Sequence, residues 1–139
     1  MQEIKTFFAE HDLFARHVGI ELLEVEPGMA RARMQIAPYH FNGAGTVHGG
    51  AIFTLADFVF AVASNSHGPT AMGINTSVSF VKAALSGTLY AEAEEQSRNH
   101  KLATYTVTVI DDSGDLVALF QGMVYLKKAP IISKGDNLS

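Results

Sequence analysis

Residues 48 to 65, HGGAIFTLADFVFAVASN, contain one acidic residue, Asp57, in a run that is otherwise almost wholly apolar. Read as a helix, the run is apolar around most of its circumference, and such a helix is buried rather than laid on a surface. The chain must therefore supply a cover for it, and its other segments show what that cover is.

Residues 29 to 36 alternate Ala30, Ala32, Met34 and Ile36 against Arg31, Arg33 and Gln35, which is the pattern of a half-buried strand. A second strand pattern, 18 to 26, precedes it and ends at Pro27-Gly28. Residues 37 to 47 hold Pro38, Asn42, Gly43 and Gly45 and read as a loop. After the helix, 72 to 84 alternate Ile74, Thr76, Val78 and Phe80 against Asn75, Ser77 and Ser79. Leu89, Ala91 and Ala93 alternate with polar residues over 88 to 97, and Ala103, Tyr105, Val107 and Val109 do so over 101 to 111. DDSGD, 111 to 115, is a hairpin turn. The last strand, 116 to 126, is apolar on both faces, which predicts a cover on both sides, from the helix or from another subunit. Residues 3 to 14 place Ile4, Phe7, Phe8 and Phe14 on roughly one face of a short helix, a lid or cap. The tail, 129 to 139, reads as frayed. The order helix, two strands, long helix, four strands predicts one α+β domain over 1 to 139, an antiparallel sheet wrapped around the long helix.

Composition narrows the function classes. The chain of 139 residues has a net charge of -4 and no basic cluster, which argues against a nucleic-acid partner. It has no cysteine, which removes disulfides, thiol nucleophiles and cysteine metal sites. The six histidines include no pair three residues apart, so no metal site is expected. The N-terminus is too charged for a signal peptide, and the longest apolar run is too short for a membrane span; a cytoplasmic protein is the expectation.

HFNGAGTVHGGAIFTLADFVFAVASNS, followed by GINTSVSFVKA, resembles the hotdog-fold acyl-CoA thioesterases of the phenylacetate-degradation (PaaI-like) type. The likeness covers roughly residues 18 to 127, and its most specific part is Asn42, Gly45, His48, Gly49, Gly50 and Asp57 at their spacings. The resemblance implies a sheet wrapped around the helix, hydrolysis of acyl-CoA with neither metal nor separate cofactor, and dimers joined sheet edge to sheet edge, often paired into tetramers. A non-catalytic acyl-CoA-binding hotdog domain is the alternative.

The residues can be read physically beside that likeness. Gly49 and Gly50 open the helix, where amides lack internal partners and carry partial positive charge. Such an amide, Gly50 by preference, suits the thioester carbonyl as negative charge develops on it. His48 fits an orienting role better than proton transfer. Asn42 positions a water or the thioester, or is a turn asparagine. Asp57 has no basic residue within a helical turn. It is either held by hydrogen bonds across the core or it acts on the thioester, as nucleophile or as base for the attacking water. Lys82 reaches a CoA phosphate or is a solvated strand-end lysine, with Ala83 where the family often has proline. Thr76 and Ser77 are placed near Asp57. Gly50 and Asp57 lie seven residues, hence about 10 Å, apart along one helix. They cannot serve one carbonyl from one chain, so the site is expected at a dimer interface.

Overall fold

The computed structural model describes residues 1–133. The apolar run forms α3 (Gly49–Asn65), preceded by α1 (Gln2–His11), α2 (Leu13–His17), β1 (Ile20–Glu26) and β2 (Met29–Gln35). β3 (Pro69–Phe80), β4 (Thr88–Arg98), β5 (Leu102–Ile110) and β6 (Leu116–Pro130) follow it. Among the described residues the strands form one six-stranded antiparallel sheet in the order β1-β2-β4-β5-β6-β3. All six strands touch α3, so the sheet wraps the helix as the hotdog fold requires.

Side-chain size sets how the helix sits. Ala30 pairs with Ala93 and Ala32 with Ala91, a floor of small residues under part of α3. The other half of the sheet offers buried Tyr105, Val107 and Phe120. Phe60 is the exception that shapes both sides. Its ring packs on Tyr105 and Phe120 with centroids 5.9 and 5.4 Å away. It lies over Gly122, where a Cβ would come within 2.6 Å of the ring, and Gly73, where it would come within 3.2 Å. Leu55, Val59 and Val62 are wholly buried, each worth about 1.5–3 kcal/mol of transfer free energy.

Buried polar groups fix the far end of α3. Asn65 Oδ1 accepts from Ala71 N–H at 2.8 Å, and its Nδ2 donates to Ala61 O at 2.8 Å. Ser66 Oγ accepts from Gly28 N–H at 2.8 Å and donates to Ala63 O at 2.6 Å. The side chains at this turn therefore leave the core with their hydrogen bonds made.

The cover around α3 is incomplete. Gly50 is exposed, and Phe53, Thr54, Asp57 and Ala61 are only partly buried; at spacings near 3.6 residues they form one stripe. β3 is an edge strand, paired only with β6 among the described residues. Met72, Ile74, Phe80 and Val81, on and just after it, are large apolar residues about half exposed.

Several elements depart from the sequence reading. The helix expected over 3–14 breaks at Asp12, whose carboxylate caps α2 by accepting from Ala15 N–H at 3.1 Å. The strand expected over 72–84 runs 69–80, because β6 pairs with it from Pro69 onward. Within one protomer the last strand is covered mainly on one face. Phe120, Gly122, Val124 and Leu126 lie on the covered face, whereas Leu119 and Tyr125 on the other face stay 38% and 44% exposed. The tail expected to fray from 129 begins inside β6, and Ile131 N–H still donates to Gly68 O at 2.8 Å. Residues 134–139 of that tail lie outside the described residues. Among the described residues no helix is long and apolar enough to cross a membrane.

Candidate active site

Most of the chemistry expected from the sequence gathers at the start of α3. His48 is the N-cap residue, and its Nδ1 accepts from Gly50 N–H at 2.8 Å. Accepting there leaves the ring proton of neutral His48 on Nε2. His48 N–H donates to His40 O at 2.7 Å, and both Ala51 N–H and Ile52 N–H reach His48 O. His40, buried in turn, accepts from Ala37 N–H at Nδ1 and contacts Val18 O through Nε2 at 2.7 Å. His40 thus ties the loop that presents His48 to the end of α2. Sequence reasoning misses it, because a histidine beside Pro38 in a loop carries little signal.

This network occupies one of the two glycine amides. The Gly50 N–H, expected to face a carbonyl, is already paired with His48, and a Cβ there would lie 3.0 Å from Nδ1. Gly49 N–H is the free amide of the first turn among the described residues. Neither glycine has positive φ, so each is needed for space rather than for backbone conformation. At Gly49 the space is taken by Phe80: a Cβ would sit 3.2 Å from Phe80 Cζ.

A groove of about 390 Å³ opens beside this turn, lined among others by Asn42, Gly49, Ile52, Phe80 and Lys82. The Asn42 side chain is engaged within its own loop. Its Oδ1 accepts from Ala44 N–H at 2.9 Å and Thr46 N–H at 3.2 Å, and its Nδ2 donates to Thr46 Oγ1 at 3.1 Å. It lines the groove from this loop. Lys82 is held by two carboxylates of the β5–β6 turn, Asp111 Oδ2 at 2.6 Å and Asp115 Oδ2 at 2.7 Å. These bonds hold its ammonium above the ordinary lysine pKa and tie it to the hairpin, while Lys82 also lines the groove.

Asp57 lies on the open stripe of α3, about 12 Å along the helix from Gly49. Burial, and after it the Asp12 carboxylate, push its pKa up from the ordinary carboxylate value. Among the described residues it has neither a hydrogen-bond partner nor an ion pair, so the core-bonded alternative is not realised. Thr76 pairs with Gly122, which faces Phe60, so Thr76 is on the α3 side of the sheet. Ser77 pairs with Gln121 and lines a groove on the opposite face with Gln96 and Thr106; it does not share the α3 side with Asp57.

Known proteins place this arrangement in context. A family model described as the thioesterase superfamily matches residues 44–118. A relative from Archaeoglobus fulgidus, provisionally named an esterase, is 39% identical over 126 residues, 90% of this chain and 82% of that protein. The acyl-coenzyme A thioesterase PaaI of Escherichia coli K12 is 32% identical over 114 residues, 81% of each chain. The solved structure of the E. coli PaaI protein from the phenylacetic acid degradation operon superposes with a TM-score of 0.91 at 28% identity, covering 94% of this chain and 96% of that one.

Proposed function

We propose, from the premise that the chain belongs to the thioesterase superfamily and is a thioester hydrolase, that it cleaves acyl-CoA to the free acid and CoA. The observation that carries the reading is a pairing on α3: an unpartnered amide at Gly49 and an unpartnered, proton-avid carboxyl at Asp57 on the stripe left open by the sheet. The substrate class follows from the named activity of the E. coli relative. The half-exposed Phe80 in the groove and the partly buried Phe53 on the stripe favour an aromatic or medium-length acyl group.

In this reading Gly49 N–H donates to the thioester oxygen and stabilises the oxyanion, with the partial charge of the helix end behind it. Asp57 takes a proton from water, whose oxygen attacks the carbonyl carbon. The tetrahedral intermediate then collapses, the C–S bond breaks, and the CoA sulfur leaves as thiolate and is protonated. A carboxylate with raised proton affinity is a better base for this step. His48 holds the first turn of α3, Asn42 the loop before it, and Thr76 borders the site. No cofactor is required; CoA arrives as part of the substrate.

One carbonyl cannot reach groups about 12 Å apart. The reading therefore joins Gly49 of one protomer to Asp57 of another in a homodimer, or a pair of dimers. The open stripe of α3 and the free edge of β3 are the surfaces such a dimer would cover.

The test is thiol release from a panel of short, medium, long and aromatic acyl-CoA esters, with wild type and Asp57→Ala. Release by wild type, lost in the variant while ligand-induced thermal shift persists, is the expected result. Binding without release by wild type would make the chain a binding domain and sink the reading.

A further inference from the structure

Phe80 is the last residue of β3, and its ring faces the N-terminus of α3. Within one protomer it is 52% exposed. Its backbone is held by β6: it pairs with Ala118, and the next amide, Val81 N–H, donates to Val117 O at 2.8 Å. The ring is thus carried on a rigid strand end rather than a loop. It lies against Gly49, where a Cβ would stand 3.2, 3.5 and 3.6 Å from ring atoms Cζ, Cε1 and Cε2. Gly49 is the residue whose amide is free, and both residues line the 390 Å³ groove.

We infer that Phe80 is a positioning residue: its ring walls one side of the Gly49 amide, so that a thioester oxygen can approach that N–H only along the groove. The inference rests on the proposed thioesterase reading and adds a residue to it. Two consequences follow from the geometry. The ring keeps water from one side of the amide, which strengthens the bond the amide gives to a developing oxyanion. It also crowds position 49, because a methyl there would press on the ring face and the ring would have to give by a few tenths of an ångström. Phe80 acts through the direction of approach and makes no bond to the reacting atoms.

The experiment compares Phe80→Ala, Phe80→Leu and Phe80→Tyr with wild type on an acyl-CoA that wild type hydrolyses, recording kcat, KM and Tm. Loss of the wall loosens the aim by the order of 1 Å, so Phe80→Ala is expected to lower kcat by about tenfold to a hundredfold. KM should change far less than kcat; Tm and oligomeric state are recorded beside it, because Phe80 stands on the β3 edge that the proposed dimer covers. Phe80→Tyr keeps the ring and should retain wild-type kcat; Phe80→Leu should fall between. Gly49→Ala should be destabilised beside Phe80, and adding Phe80→Ala should restore its Tm without restoring turnover. Wild-type kcat in Phe80→Ala or Phe80→Leu overturns the inference and leaves the thioesterase reading standing. A loss in Phe80→Tyr equal to that in Phe80→Ala also overturns it. Wild type inactive on the whole panel removes the reading and this inference with it. If Phe80→Ala does not fold, Phe80→Leu decides by the same criteria.

Discussion

Gly122→Ala tests how α3 is seated. Its new methyl would lie 2.6 Å from both Cε1 and Cζ of Phe60 and 3.0 Å from Cδ1. Ordinary carbon contacts begin near 3.5 Å, so the ring must retreat by roughly 0.9 Å. It has little room: Phe60 is 2% exposed and meets Tyr105 and Phe120 on one side and Gly73 on another. Overpacking of this kind costs about 1–3 kcal/mol, part of it as off-rotamer strain of about 0.5–1.5 kcal/mol. Taking about 2 kcal/mol and about 4 °C per kcal/mol for a chain of this length, Tm should fall by about 8 °C. Differential scanning calorimetry measures it. A double-mutant cycle with Phe60→Leu isolates the contact: each single change destabilises, and the pair should cost clearly less than the sum. Additive losses, or a Gly122→Ala protein as stable as wild type, would refute the idea that Phe60 seats the helix on two glycines. Because Asp57 is one turn from Phe60, Gly122→Ala should also depress kcat at temperatures where the protein remains folded.

Asp57→Asn should abolish turnover and raise Tm at neutral pH. The folded carboxyl has a raised pKa, so its stabilising contribution is present below the unfolded aspartate pKa and is lost as pH rises through the folded value. The Tm advantage of the Asp57→Asn protein should therefore vanish on acidification below the ordinary aspartate range, as thermal melts against pH would show. Asp12→Asn keeps the α2 cap but removes the second cause of that shift, so the acid limb of the kcat–pH profile should move to lower pH; an unmoved limb would separate Asp12 from Asp57. Lys82→Ala should leave KM for acyl-CoA nearly unchanged, since its ammonium is engaged by Asp111 and Asp115; a large rise in KM would return it to the substrate. Folded, inactive Asp57→Ala and Gly49→Val chains, refolded together at equal amounts, should recover about a quarter of wild-type activity if sites are shared, and none if each site lies within one chain.

Much of the fold can be read without coordinates because most strands have one wet face. β2, β4 and β5 alternate apolar and polar residues, and Ala30, Ala32, Leu89, Ala91, Tyr105 and Val107 are buried as that alternation requires. β3 resists the same reasoning. Its alternation puts Phe80 and Val78 on the helix side, but at a free edge, where α3 covers only part of that side, it is largely exposed. The helix break at Asp12 is legible in principle, since aspartate before LFARH is a cap signal, but apolar spacing through Phe14 masks it. Asp57 stands out because a lone carboxylate in an apolar helix is conspicuous. The choice between Gly49 and Gly50 is not legible. It turns on which amide His48 occupies, and histidine is not among the residues usually expected at an N-cap.

The strand order has a consequence for the making of the chain. β3 leaves α3 directly, yet its partner is β6, the last strand, with β4 and β5 intervening in sequence. A ribosome adding about 5–20 residues per second therefore exposes the finished α3 for roughly 3–13 s before Pro130 has been added. Through that interval the most apolar segment of the protein has only β1 and β2, then β4 and β5, to lie against, and β3 has no partner within its own chain. Nascent chains stalled before Leu116 should be cut by protease within α3 or β3 and bind chaperones, whereas chains released past Pro130 should resist; equal resistance in both would mean that the helix is sheltered before its sheet is complete.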